Sequence, residues 1–211
     1  MKILVVDFDI IMYPCIRLYD KYVEQGINDR PDSVWDILEE EFGINKFVSY
    51  DANVLLKIAE LIKHTVSDGA KFISVDNNKA IVEDLLYDNK NIPDNSIDIT
   101  SIDCHHCLIN SDAELQKIYD FGEYNSLSWI GYLFSRNKVG NYMWITAPCS
   151  TSADIDKLQS LFSFEKKSIN TVNLLEDNFD KVYFVRSEHW IPYKYRHLFN
   201  LIASLVAEEN L

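Results

Sequence analysis

Short apolar runs alternate along this chain with longer amphipathic segments, and this alternation constrains the fold more than any other feature. The runs typical of strands cover residues 2–6, 71–75, 97–100, 142–146 and 182–185. The segments predicted to be helical cover residues 33–42, 52–62, 80–86, 124–134 and 195–207. Strands that alternate with helices build a mainly parallel sheet flanked by helices. Only six Gly and five Pro occur among 211 residues, so we predict one packed α/β domain over residues 1–211.

Polar side chains follow several of the predicted strands directly. Asp7 and Asp9 end the first run, residues 76–78 follow the second, and residues 186–188 follow the last. In open parallel sheets, ligands bind beyond the carboxyl ends of the strands. We therefore expect these clusters to converge at one edge of the sheet, although each alone is also typical of turns and helix caps.

The segment from Asp103 to Cys107 holds five consecutive residues that could each bind a metal or carry a proton. If the preceding strand continues through it, Asp103, His105 and Cys107 point one way, whereas Cys104 and His106 point the other. A carboxylate, an imidazole and a thiolate on one face predict a row of metal ligands. A hydrogen-bonded polar cluster at an exposed strand end is the alternative.

Two acids from the first strand end complete a candidate metal site. Asp7, Asp9, Asp103 and His105, with Cys107 as a further ligand, form a set that suits Mn²⁺, Fe²⁺ or Zn²⁺. A divalent cation would relieve the repulsion among the carboxylates and would lower the pKa of a bound water. The predicted reaction is hydrolysis of a polar carbon–nitrogen bond.

The acidic composition narrows the partners that this chain can have. A formal charge of −13 repels the phosphates of nucleic acids and of anionic membranes, and it favours a basic peptide or an arginine-containing substrate. Acidity for solubility alone is the simpler alternative. The N-terminus does not resemble a signal peptide, and no apolar run reaches about 18 residues, so a cytoplasmic location is expected. A homo-oligomer remains open.

Five short motifs resemble those of the peptide arginase (UPF0489) family, in the same order along most of the chain. They are VVDFDII at 5–11, DNNKA at 76–80, DCHHC at 103–107, GEYNSL at 122–127 and SEHWIP at 187–192. The resemblance implies an arginase/deacetylase-like α/β fold. It also implies hydrolysis of peptidyl arginine to ornithine and urea with Mn²⁺ as cofactor.

This chain departs from the family pattern at one of two metal positions. The resemblance implies an intact site of Asp7, Asp9, Asp103 and His105. The second site would need an acid where Cys107 stands and a histidine within residues 76–78. On this reading Asp76, Asn77 and Asn125 line the incomplete second site or the substrate pocket.

Two hypotheses follow from the incomplete site. The leading one is a hydrolase with a single metal, in which Glu188, Glu123 or His106 acts as general base. A thiolate ligand from Cys107 would favour Zn²⁺ in that enzyme. The alternative is a catalytically inactive relative that serves as a peptide- or protein-binding module.

Overall fold

A six-stranded parallel sheet forms the centre of the protein, as seen in a computed structural model that describes residues 1–13, 40, 43, 49–86, 92–147, 150, 154–187 and 190–208. Its strands are β1 (Lys2–Asp7), β4 (Lys71–Val75), β5 (Ile97–Ile102), β6 (Val139–Thr146), β7 (Glu165–Ser168) and β8 (Lys181–Val185). The order across the sheet is β4-β8-β1-β5-β6-β7, and every neighbouring pair is parallel. Two further strands, β2 (Met12–Tyr13) and β3 (Ser49–Tyr50), form a small antiparallel pair. The predicted parallel sheet is confirmed.

Six helices flank this sheet in the part of the chain that the structure describes. They are α1 (Ala52–Ser67), α2 (Lys79–Leu86), α3 (Asp112–Phe121), α4 (Trp129–Ser135), α5 (Ile155–Leu161) and α6 (Tyr193–Glu208). The sequence defines where α1 begins, because the Asp51 side chain caps this helix by accepting the backbone N–H groups of Asn53 and Val54. The predicted α/β class, with helices around a parallel sheet, is therefore confirmed.

The hydrophobic core lies on both faces of the sheet. Leu4 and Val6 of β1 pack with α1 and α6 on one face, whereas Ile3 and Val5 pack with α2 and α4 on the other. All four side chains are fully buried. A strand buried on both faces reads as a continuous apolar run, which is why residues 2–6 show no alternation of polar and apolar side chains.

Several element boundaries differ from the sequence prediction. The helix expected over 124–134 begins only at Trp129, and the strand expected over 142–146 already begins at Val139. The helices α3 and α5 and the strand β7 were not predicted, because each carries few buried side chains; α3, for example, buries only Ile118. The predicted helix over 33–42 lies outside the described residues except for residue 40.

The strand order brings four carboxyl ends together. β4, β8, β1 and β5 are consecutive in the sheet, so the polar clusters that follow them lie at one edge. This convergence was expected from the sequence, and it positions the site described below. None of the helices in the described ranges is long and apolar enough to cross a membrane. The single-domain assignment stays a prediction.

Candidate metal centre

Asp9, Asp103 and His105 form a buried group that can hold a divalent metal ion. Each offers one ligand atom, and these atoms lie within 4.8 Å of one another. Nδ1 of His105 lies 3.1 Å from Oδ2 of Asp9 and 3.6 Å from Oδ1 of Asp103. The two aspartate side chains are 0% and 1% exposed, and that of His105 is 11% exposed. Two carboxylate oxygens and one imidazole nitrogen are ligands that Mn²⁺, Fe²⁺ and Zn²⁺ accept in proteins.

A tight turn after β1 positions Asp9. The turn is a 3₁₀ helix over Phe8–Ile11, and the Asp7 carboxylate caps it by accepting the Asp9 N–H at 3.3 Å. Oδ1 of Asp9 accepts the Cys104 N–H at 3.3 Å. Oδ2 of Asp9 is buried; it lies 3.1 Å from Nδ1 of His105 but accepts no hydrogen bond of good geometry from the described residues. A buried carboxylate oxygen without a hydrogen bond is destabilising, and a bound cation would satisfy it, so the residues present fit a metal ion.

The segment from Asp103 to Cys107 is a loop, and the prediction that it continues the strand is wrong. β5 ends at Ile102, and Cys107 adopts a left-handed backbone with φ of 53°. Asp103 and His105 therefore come together through the loop's own conformation and not through strand alternation. The Asp103 carboxylate accepts the His105 N–H at 2.7 Å, which ties the two candidate ligands to each other.

Strand β6 and helix α4 hold this loop in place. The Trp144 indole N–H donates to the Asp103 carbonyl at 2.9 Å, and the Tyr142 hydroxyl donates to the His106 carbonyl at 2.8 Å. The backbone N–H of Ile130, at the start of α4, donates to the Cys107 carbonyl at 3.0 Å. Because these donors are buried, the loop is fixed by interactions that the sequence pattern did not reveal.

Asp7 and Cys107, both predicted as ligands, lie beside the group of three but outside it. Oδ2 of Asp7 accepts the Ser187 hydroxyl at 2.7 Å and the Asn78 amide at 3.2 Å. The Cys107 thiol donates to Oδ2 of Asp103 at 3.2 Å. Both residues therefore contact the centre through hydrogen bonds.

The electrostatics of the centre favour a bound cation. Burial, followed by the charges of neighbouring aspartates, raises the pKa of Asp7 well above its usual value and also raises that of Asp9. Burial likewise raises the pKa of the Cys107 thiol, with the Asp103 carboxylate adding to the effect. Crowded buried carboxylates are costly to ionise, and a divalent cation offsets that cost.

A small cleft of about 130 Å³ opens onto this centre. Its lining comes from the ends of β1, β4, β5 and β8 and from the segments before α4 and α6: Asp7, Asp76, Asn77, Asn78, His105, Ser126, Leu127, Ser187 and Trp190. The Trp190 ring lies 4.5 Å from the His105 ring, centroid to centroid. Asp76 is exposed at the rim, 3.5 Å from the Arg186 guanidinium. Asp76 and Asn77 thus both line this cleft.

Other predicted site residues lie elsewhere. Glu123 and Asn125 line a separate surface pocket, where the Asn125 amide donates to Glu114 at 2.7 Å. His106 packs edge-to-face on Trp144 and borders a third pocket, so it does not face the cleft. Glu188 lies outside the described residues.

Asn78 and Ser187 were absent from the predicted ligand and lining residues, although both belong to polar clusters that follow strands. Their contacts with Asp7 explain their position in the cleft. No spacing rule could have identified them, because the donors come from residues far from Asp7 in sequence. Their membership of the converging clusters was the only available signal.

The buried His106 predicts a dependence of stability on pH. Burial, aided by the charge of His105, lowers the pKa of His106 to about 4 from an ordinary 6.5. Between pH 6.5 and pH 4, His106 is therefore protonated in the unfolded chain and neutral in the folded protein. Protonation stabilises the unfolded chain, so the free energy of unfolding decreases as the pH falls from 6.5 towards 4. The loss is at most ~3 kcal/mol for a shift of this size.

Urea unfolding of the metal-free protein at pH 7 and pH 4.5 measures this contribution. We expect His106→Asn to lose less stability than the wild type over that interval. The raised pKa values of Asp7 and Asp9 act in the opposite direction, but they are common to both proteins and leave the difference unaffected. His197→Asn, at an exposed position on α6, should match the wild type. Equal losses in the wild type and His106→Asn would contradict the assignment.

Comparison with known proteins found no relative of this chain. No family model, no curated protein and no solved structure matches the chain. The resemblance to peptide arginases therefore rests on the sequence motifs alone.

Proposed function

We propose that this protein is a metal-dependent hydrolase that uses one divalent cation to cleave a carbon–nitrogen bond of a peptide side chain. The observation that carries the proposal is the buried group of Asp9, Asp103 and His105, of which His105 lines a small cleft. Buried ionisable groups that converge in a cleft are typical of catalytic sites. The location beyond the carboxyl ends of parallel strands supports the same reading.

The residues of the buried group and the residues that line the cleft would have different roles. Asp9, Asp103 and His105 would hold the cation, which when bound supplies Lewis acidity to polarise the substrate and to lower the pKa of water. The Trp190 ring packs against His105 and shields one side of the centre from solvent. Asn77 and Ser187 line the entrance with polar groups that can orient a substrate.

The resident ion that we propose is Mn²⁺. Two carboxylates and one imidazole form a ligand set rich in oxygen, which suits Mn²⁺ better than a thiolate site would. The Cys107 thiol donates a hydrogen bond to Asp103 and stands outside the group of three, which argues against the softer Zn²⁺ site considered from the sequence. The resemblance to peptide arginases favours the same metal.

The proposed substrate is an arginine side chain in a basic peptide. The chain carries a formal charge of −13. This charge attracts a cationic group by long-range electrostatics, although Asp76 at the rim of the cleft is already paired with Arg186. The products would be ornithine and urea, as the family resemblance implies. A cytoplasmic location stays a prediction from the sequence, which leaves the oligomeric state open.

One observation favours a second candidate, a protein that binds a peptide without cleaving it. Hydrolysis benefits from a general base within hydrogen-bond reach of the attacking water. Of the residues predicted for that role, Glu123 and His106 lie away from the cleft, and Glu188 lies outside the described residues. Peptide binding with no turnover would support this candidate.

A hydrolysis assay separates the two candidates. The purified protein, supplied with Mn²⁺, is incubated with arginine-containing peptides, and urea release is measured together with the mass of each peptide. We expect urea from wild type and none from His105→Asn. If the peptide loses a group other than urea, the hydrolase proposal is supported, but the proposed arginine substrate is wrong. Tight peptide binding without any product, with every metal tested, would contradict the hydrolase proposal and support the peptide-binding protein.

A further inference from the structure

The hydrogen bonds of Asp7 leave this buried carboxylate little capacity to bind a metal. Its Oδ2 accepts the Ser187 hydroxyl at 2.7 Å and the Asn78 amide at 3.2 Å. Its Oδ1 accepts the backbone N–H of Asp9 at 3.3 Å. A carboxylate oxygen has two lone pairs in its plane, so two donors fill the capacity of Oδ2. A cation that binds Oδ2 of Asp7 would have to displace these two donors.

The Asn78 amide is held in one orientation by its surroundings. Its Nδ2 faces Oδ2 of Asp7, and it also lies 3.4 Å from the Ser126 carbonyl oxygen. The Ser126 carbonyl oxygen can only accept, so the NH₂ group must point towards it. The side chain is 4% exposed, and water therefore does not compete for these contacts.

Cys107 extends the same pattern to Asp103. Its thiol donates to Oδ2 of Asp103 at 3.2 Å, while Oδ1 of Asp103 accepts the His105 N–H at 2.7 Å. Cys107 is 1% exposed and lies 4.0 Å from the Asn78 amide nitrogen. Asn78, Ser187 and Cys107 thus surround the acidic centre on one side, and each directs a neutral donor at a carboxylate.

We propose that Asn78, Ser187 and Cys107 are positioning residues whose neutral donors hold Asp7 and Asp103 in place and limit the centre to one cation. This inference rests on the proposed cation at Asp9, Asp103 and His105. Neutral donors stabilise adjacent carboxylates without adding positive charge. Asp7 then supports the centre from outside, through the turn that carries Asp9.

The sharpest test replaces one donor by an acceptor of the same shape. Asn78→Asp places a second carboxylate beside Asp7 and next to the Ser126 carbonyl oxygen, a cluster of oxygens that suits a hard cation. Calorimetric titration with Mn²⁺ should show one ion per chain for the wild type. The same titration of Asn78→Asp should show two, the second bound more weakly.

A matched control is available at the opposite end of the sheet. The Asn141 amide donates to Oδ1 of Asp98 at 2.7 Å, and both residues lie away from the cleft. Asn141→Asp makes the same change of charge beside an aspartate, but on the surface. Its stoichiometry should stay at one ion per chain.

Two substitutions of Cys107 keep the proposal testable if Asn78→Asp fails to fold. Cys107→Ser retains a donor, and its affinity for Mn²⁺ should stay within about threefold of the wild type, whereas Cys107→Ala should lose about tenfold.

One ion in Asn78→Asp with wild-type affinity, or equal affinities for both Cys107 variants, would overturn the inference while the proposed cation stands. Two ions in the wild type would do the same. No ion in the wild type would overturn both.

Discussion

Replacing His105 by asparagine is expected to abolish the stabilisation of this protein by Mn²⁺. His105 supplies the only nitrogen ligand of the buried group, and its Nδ1 lies 3.1 Å from Asp9. A cation present at 100 times its dissociation constant stabilises the folded state by about 2.7 kcal/mol. For a chain of this length that corresponds to a rise in Tm of roughly 5–10 °C. Thermal unfolding with and without Mn²⁺ measures the rise, which should vanish in the variant.

The exposed His197 on α6 provides the control for this experiment. His197→Asn removes an imidazole without touching the cleft, so the full rise in Tm should remain. A rise of the same size in His105→Asn would show that Mn²⁺ binds elsewhere. Loss of the rise in His197→Asn as well would show a general effect of the metal on the surface.

Gly131→Ala is expected to destabilise the fold by about 2–3 kcal/mol, although alanine normally stabilises a helix. A Cβ atom at this position of α4 would lie 2.2 Å from the Leu108 carbonyl oxygen and 3.0 Å from the Leu108 carbonyl carbon. Alanine gains about 1 kcal/mol in helix propensity, but overpacking against a fixed backbone costs more. The cost of the clash exceeds the gain in helix propensity, because β6 also holds the loop that carries Leu108.

Urea unfolding gives the free energy for this variant and for Lys117→Ala, a control at an exposed position of α3. The control should lie within about 0.5 kcal/mol of the wild type. The affinity of Gly131→Ala for Mn²⁺ should also fall, since the displaced loop carries Asp103 and His105. If Gly131→Ala is more stable than the wild type, the close contact between Gly131 of α4 and Leu108 of the loop is wrong.

The sequence predicted the sheet well because its strands are buried on both faces. Residues 3–6 and 182–185 are continuous apolar runs, and they lie in the adjacent central strands β1 and β8. The polar clusters after four strands pointed to one edge, and the strand order confirms that they meet there. The surface helices α3 and α5 escaped prediction, since their apolar faces are too narrow to produce a clear period.

The details of the centre could not be predicted, because they depend on a loop. Strand alternation selected Asp103 and His105, yet the strand ends at Ile102 and the two side chains meet by a different route. The two side-chain donors to Asp7 come from residues 71 and 180 positions away in sequence. Contacts over such separations are set by the strand order and leave no local pattern.

The most direct test of the central claim is the metal content of the wild-type protein. After removal of metals by a chelator, the protein is titrated calorimetrically with Mn²⁺. The arrangement of Asp9, Asp103 and His105 predicts one ion per chain, lost in Asp103→Ala. A protein that releases no heat with Mn²⁺, Fe²⁺ or Zn²⁺, and whose Tm ignores all three, would contradict the account.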